Sequence, residues 1–195
     1  MNQTVRRIYL ALILIILIGG YLLIIFNRPE APPPPAEGNV NYLSEVPVIP
    51  DETRMTLNEK APDFEFFTID GEPIHLASYI GEKHVILDFW SLTCAPCIRE
   101  LPVLQEFYEE YGDEVEIIAI TDDSADNAGD IRERFTDSGA QYPAVHDYTG
   151  MIARLYPTRA KPYIVYVNID GIAIAAELGE KEDIHAVIKS HFGLE

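Results

Sequence analysis

Two cysteines, and only two, lie three positions apart at the seam between a continuous apolar run and a helical pattern. The run His84-Val85-Ile86-Leu87-Asp88-Phe89-Trp90 lacks the alternation of a half-exposed strand and reads as a central strand buried on both faces. Beyond Cys97, the residues Ile98, Leu101, Leu104, Phe107, Tyr108 and Tyr111 recur at helical spacing, and Pro102 should bend that helix. A buried strand feeding directly into a helix points to an α/β fold. It also puts Cys94 where unpaired backbone N–H groups and the helix dipole favour negative charge, which stabilises a thiolate.

Three chemistries use a Cys-x-x-Cys pair: half a zinc site, a structural disulfide, or a redox couple. Zinc needs further ligands. The five histidines, at 75, 84, 146, 185 and 191, neither pair at i, i+4 nor cluster near the cysteines, and they read as ordinary surface or core residues. A bridge around two residues gives little chain-entropy stabilisation, so a purely structural disulfide is poorly motivated. The redox reading fits best. Cys94 is then the attacking thiolate, and Cys97, one turn further in, closes an internal disulfide that releases a mixed-disulfide intermediate.

From Ala61 onward strand-like and helix-like runs alternate. Phe64 to Thr68, an Asp70-Gly71 turn and Pro73 to Leu76 suggest an N-terminal hairpin. Val115 to Thr121 reads as a strand, Ala128 to Phe135 as a helix, Tyr142 to Val145 as a short strand or turn, and Met151 to Tyr156 as a short helix. Tyr163 to Ile169 and Ile172 to Glu177 flank an Asp170-Gly171 turn as a second hairpin, and Ile184 to Phe192 closes the chain as an amphipathic helix. The pattern describes a central mixed sheet flanked by helices.

Ahead of this domain, Ile8 to Phe26 contains no charge in 19 residues, and at helical rise it covers about 28 Å, enough to span a hydrocarbon core. It reads as an uncleaved transmembrane anchor. A signal peptide is the rival, but it would have a shorter apolar core, and Asn27 to Gly38 offers no clear small-x-small cleavage site. Arg6 and Arg7 precede the run while only Arg28 follows closely, so the positive-inside bias leaves residues 1–7 in the cytoplasm and exports the rest. Residues 27–60, with the polyproline stretch at 32–35, read as a linker, and 61–195 as the globular domain. All 32 acidic residues lie beyond Arg28 and the formal net charge is −18, which excludes a nucleic-acid binder.

Ala61-Pro62-Asp63-Phe64, the stretch Ile86 to Cys97, Glu100, Pro102 and the stretch Ala160 to Gly171 together resemble the TlpA/ResA-like branch of the thioredoxin superfamily over about residues 61–195. The resemblance implies a thioredoxin-like fold on an N-terminal membrane anchor, exchanging dithiol for disulfide outside the cytoplasm. It implies exported thiol or disulfide proteins as substrates, such as apocytochrome c, a membrane electron donor for re-reduction, and no metal or other cofactor. By position Cys94 resembles the family's nucleophile, Cys97 the resolving thiol, Trp90 the ring beside the motif, and Pro162 a cis-proline facing the disulfide. Asp88 and Glu100 match two acids that the superfamily places near the motif, for proton transfer. Pro96 and Lys161 join Trp90 and Pro162 as candidate substrate-binding residues.

Two residues depart from the family pattern. Thr93 stands where a tryptophan commonly precedes the first cysteine, and Lys161 stands before the cis-proline where a small or apolar residue is usual. Lys161 could aim its ammonium at the Cys94 thiolate or extend into solvent. Two rival functions are weaker. A peroxiredoxin needs a Pro-x-x-x-Thr/Ser-x-x-Cys arrangement that this chain lacks. A Sco-like copper chaperone wants one more residue between its cysteines and a partnering histidine, for which His146 lies far downstream.

Overall fold

A computed structural model describes residues 53–195. The apolar run at 8–26, the residues before it and the proline-rich stretch lie outside the described residues.

Two short strands, β1 (Glu65–Phe67) and β2 (Pro73–His75), form the expected antiparallel hairpin. The central strand β3 (His84–Phe89) leads into α1 (Ala95–Tyr111), which continues for 17 residues through Pro102. There follow β4 (Val115–Thr121), α2 (Ala128–Asp137), β5 (Ala144–His146) and α3 (Met151–Leu155), then β6 (Tyr163–Val167), β7 (Ala173–Leu178) and α4 (Ile184–Phe192). Sequence periodicity did not reveal two 3-10 turns, Leu76–Tyr79 and Ala125–Asn127, which are too short to establish a period.

The five-stranded sheet runs β5-β4-β3-β6-β7, with β3 parallel to β4 and β4 to β5, and with β3 antiparallel to β6 and β6 to β7. Strand alternation sorts the core. Ile86, Ile117, Ala119, Ile164 and Tyr166 face α1, α2 and α4, where they meet Leu101, Leu104, Phe107, Ile131, Phe135, Ile184 and Ile188. Val85, Leu87, Phe89, Ile118 and Ile120 face the opposite layer, built from Phe64, Ile74, Leu76, Ile152 and Tyr156. Each fully buried Leu, Ile or Phe contributes about 1.5–3 kcal/mol, so this double-faced sheet is a stiff platform for what its strand ends carry. The Asp170-Gly171 turn needs Gly171: φ is +78°, and an added Cβ would lie 3.1 Å from Ile80 Cγ2.

The stretch up to Lys60, read as linker, gives its last residues to the domain. Met55 donates its N–H to Leu155 O at 2.8 Å, Asn58 donates to Ala173 O at 2.8 Å, and Lys60 bridges to Ile172. These are backbone contacts that follow no side-chain period. The hairpin is likewise tied to the main sheet, since Ile69 donates to Ala144 O at 2.7 Å.

Candidate active site

Past the end of β3, Trp90 donates its backbone N–H to Ile120 O at 3.0 Å, and Cys94 turns back to donate to Ser91 O at 3.1 Å. Asp123, just beyond β4, pins this turn: its Oδ2 accepts from Leu92 N at 2.8 Å and from the Thr121 hydroxyl at 3.0 Å. Cys94 is the N-cap of α1, with its sulfur accepting from Cys97 N at 3.3 Å. The two cysteines form a disulfide across a Cα–Cα distance of 5.3 Å. Cys94 is half-buried, whereas Cys97 is sealed under it in the core at 1% exposure. Only the first sulfur can meet a protein partner. The second can meet only the first, so geometry assigns nucleophile and resolving thiol as the sequence suggested.

An open groove of about 610 Å³ lies in front of Cys94, lined among others by Thr93, Pro96, Asp122, Arg159 and Lys161. The Lys161–Pro162 peptide bond is cis, and Pro162 O accepts from Gly179 N at 2.8 Å, tying the loop before β6 to the end of β7. Lys161 fulfils neither suggestion made for it, because its ammonium is paired with the carboxylate of Asp122, which also lines the groove. Trp90 requires a correction as a substrate-binding residue. At 0% exposure it cannot touch a partner; it packs against Phe135, with centroids 6.1 Å apart, and supports the motif from below. Pro162 is buried too, so a partner would meet the backbone around it. Pro96, Lys161 and Thr93 do line the groove.

Beneath the cysteines lie the two acids. Asp88 shares the α1-facing side of β3 with Ile86, between Ala119 and Ile164 on the neighbouring strands, at 1% exposure. Burial pushes its carboxyl well above the ordinary range, the nearby Glu100 charge adds to this, and Lys161 opposes it. Glu100, one turn after Cys97 on α1 and 5% exposed, is raised to about 7, first by burial and then by the Glu180 charge, with Lys181 opposing. Among the described residues neither Glu100 oxygen has a hydrogen-bond partner, and the same is true of Asp88 Oδ1, Trp90 Nε1 and the Tyr166 hydroxyl. Buried polar atoms left unpaired cost about 1–3 kcal/mol each, which favours the protonated, uncharged form of both acids.

Sequence reasoning missed Asp122, Asp123 and Arg159. The only available signal was position, since ligands of open α/β sheets gather at the carboxyl ends of strands and Asp122 and Asp123 directly follow β4.

The AhpC/TSA family matches residues 57–176 of the chain. The thiol-disulfide oxidoreductase ResA of Bacillus thuringiensis subsp. konkukian is 31% identical over 141 residues, which are 71% of this chain and 80% of that protein. The chain belongs to this family, on its TlpA/ResA-like branch. Among solved structures, the thioredoxin domain of a thiol-disulfide oxidoreductase from Bacteroides vulgatus superposes with a TM-score of 0.61 at 21% identity, over 70% of this chain and 97% of that one. A reduced 2-Cys peroxiredoxin of Plasmodium vivax superposes at 0.57 and 18% identity, over 70% and 94%, and shares the fold alone. The ResA-like chain is a thiol-disulfide oxidoreductase, and its thioredoxin-like fold carries the Cys94–Cys97 pair at the strand-to-helix junction.

Proposed function

We propose that this ResA-like enzyme reduces disulfides in exported proteins, apocytochrome c among them, from a position outside the cytoplasm. The observation that carries this reading is the asymmetry of the cysteine pair: one sulfur faces an open groove, while the other is buried where only the first can reach it. The Cys94 thiolate attacks the partner disulfide and forms a mixed disulfide, releasing the first partner thiolate. Cys97 then attacks Cys94, the second partner thiolate leaves, and the enzyme carries the disulfide. Extended partner backbone can add beside the residues before Pro162 in a strand-like manner. Renewal needs a dithiol from a membrane electron donor, and the apolar run at 8–26 supports that setting.

The test is the reduction potential of the full-length protein in detergent, equilibrated with glutathione or dithiothreitol buffers. A reductant should lie near or below about −250 mV, whereas about −120 to −180 mV would make the enzyme an oxidant or isomerase and overturn the direction of transfer.

A further inference from the structure

The groove in front of Cys94 is polar for a surface that must receive a protein chain. Ser91, Thr93 and Thr158 bring hydroxyls to its lining, and Asp122, Arg159 and Lys161 bring charge. These three charges are not equivalent. Lys161 and Asp122 form an ion pair and neutralise each other. Arg159 lies two residues earlier on the loop before the cis-proline and is exposed, and among the described residues it holds no hydrogen bond or ion pair.

Composition makes such a bare cation unexpected. The chain has 32 acidic residues against 14 basic ones, so a basic side chain has many carboxylates within reach. Lys83, Arg99, Arg132, Lys161 and Lys181 each meet one. Arg159 meets none, and the groove therefore carries one uncompensated positive charge beside the reactive sulfur of an acidic protein. A guanidinium presents its donors in a planar fork that matches a carboxylate, so the chemistry left open here is that of an incoming Asp or Glu.

We propose that Arg159 is a specificity-determining residue that receives a partner carboxylate, so that the enzyme selects disulfides with Asp or Glu close in sequence to the attacked cysteine. An extended chain advances about 3.3 Å per residue, which places the selected acid within about two or three positions of that cysteine. The inference rests on the thiol-disulfide reading above and names the class of partner segment it acts on. Arg159 takes no part in the electron transfer. It holds the segment while Cys94 forms the mixed disulfide and Cys97 resolves it. The formal charge of −18 repels an acidic partner at long range wherever its acids sit, whereas the groove distinguishes acids near the cysteine from acids far from it.

The experiment uses two disulfide peptides of identical composition and net charge. One carries Glu beside its cysteine and Lys far from it; the other exchanges the two positions. Reduced full-length enzyme in detergent, followed through a single turnover at low salt, should reduce the Glu-flanked peptide about three- to tenfold faster. Arg159→Gln should bring that ratio to about one, and Arg159→Glu should invert it. A change in Cys94 reactivity or in folding acts on both peptides alike and leaves the ratio where it was. Arg132→Gln removes the same charge from α2, away from the groove, and should leave the wild-type ratio unchanged. Equal wild-type rates, a ratio that survives Arg159→Gln, or an equal loss in Arg132→Gln overturns the selection by Arg159 while leaving the exchange activity in place. Absence of exchange with both peptides instead overturns the reading on which the inference rests.

Discussion

Glu100 and Asp88 are carboxylic acids held where a charge is poorly solvated, and this couples folding to pH. Folding raises the Glu100 carboxyl from 4.5 to about 7, so between those values the folded chain keeps a proton that the unfolded chain has released. Its contribution is complete below the unfolded value and is lost as pH rises through about 7. By pH 8 that loss is on the order of 2–3 kcal/mol, at about 1.4 kcal/mol per tenfold change in proton affinity. Asp88 works in the same direction. In urea titrations of the oxidised protein, Glu100→Gln should therefore remove about 2–3 kcal/mol of the fall in stability from pH 5 to pH 8. Parallel wild-type and variant stabilities would mean that Glu100 is solvated after all. The identity of both acids was legible in the sequence through the family pattern, and the continuous apolar run marked Asp88's strand as buried; the burial of Glu100 was not legible, because helical spacing cannot tell a carboxylate against the core from one in water. Lys161 teaches the same lesson, since its partner Asp122 is 39 positions away in sequence.

Elements were legible wherever a period or a turn was long enough to repeat. β3, β4, α1, α4 and both hairpins fall where alternation, helical spacing and the two Asp-Gly turns place them. The order of strands in the sheet, and the docking of Met55 to Lys60 on it, follow from backbone pairing that leaves no trace in composition. The short helix α3 shows how an element too brief for a period is held. Asp147 is 0% exposed and accepts from Met151 N at 2.9 Å, Ala153 N at 2.9 Å and the Thr149 hydroxyl at 3.0 Å, fixing the helix that leads to Tyr156 and the groove lip. The side chain of Asp183, the N-cap of α4, accepts from Ala186 N at 2.9 Å in an exposed position. Losing an exposed cap costs about 1 kcal/mol, whereas leaving several buried donors unmatched costs about 1–3 kcal/mol for each group. Asp147→Ala should thus destabilise the protein by about 3 kcal/mol or more and Asp183→Ala by about 1 kcal/mol, read from urea midpoints at one pH. Equal losses would show that the Asp147 bonds are replaced by water.

At the scale of the whole chain, charge is distributed with one sharp asymmetry. Arg6 and Arg7 precede the apolar run, Arg28 alone follows it closely, and all 32 acidic residues lie on the far side. Orientation is governed by lysine and arginine near the ends of the span; acidic residues contribute little, so the large acidic excess does not set it. The balance rests on two arginines against one. A phosphatase fused at the C-terminus, active only outside the cytoplasm, should therefore be active, while a reporter that functions only in the cytoplasm should be silent. Replacing Arg6 and Arg7 together with Gln removes the bias and should lower the phosphatase signal severalfold, because Arg28 is then the only nearby cation. Were the domain outside, as proposed, its surroundings would favour disulfides, and a pair acting there as a reductant would require electrons supplied from a membrane donor. A silent phosphatase fusion beside an active cytoplasmic reporter would overturn the export reading, while leaving the exchange chemistry of Cys94 and Cys97 to stand on its own geometry.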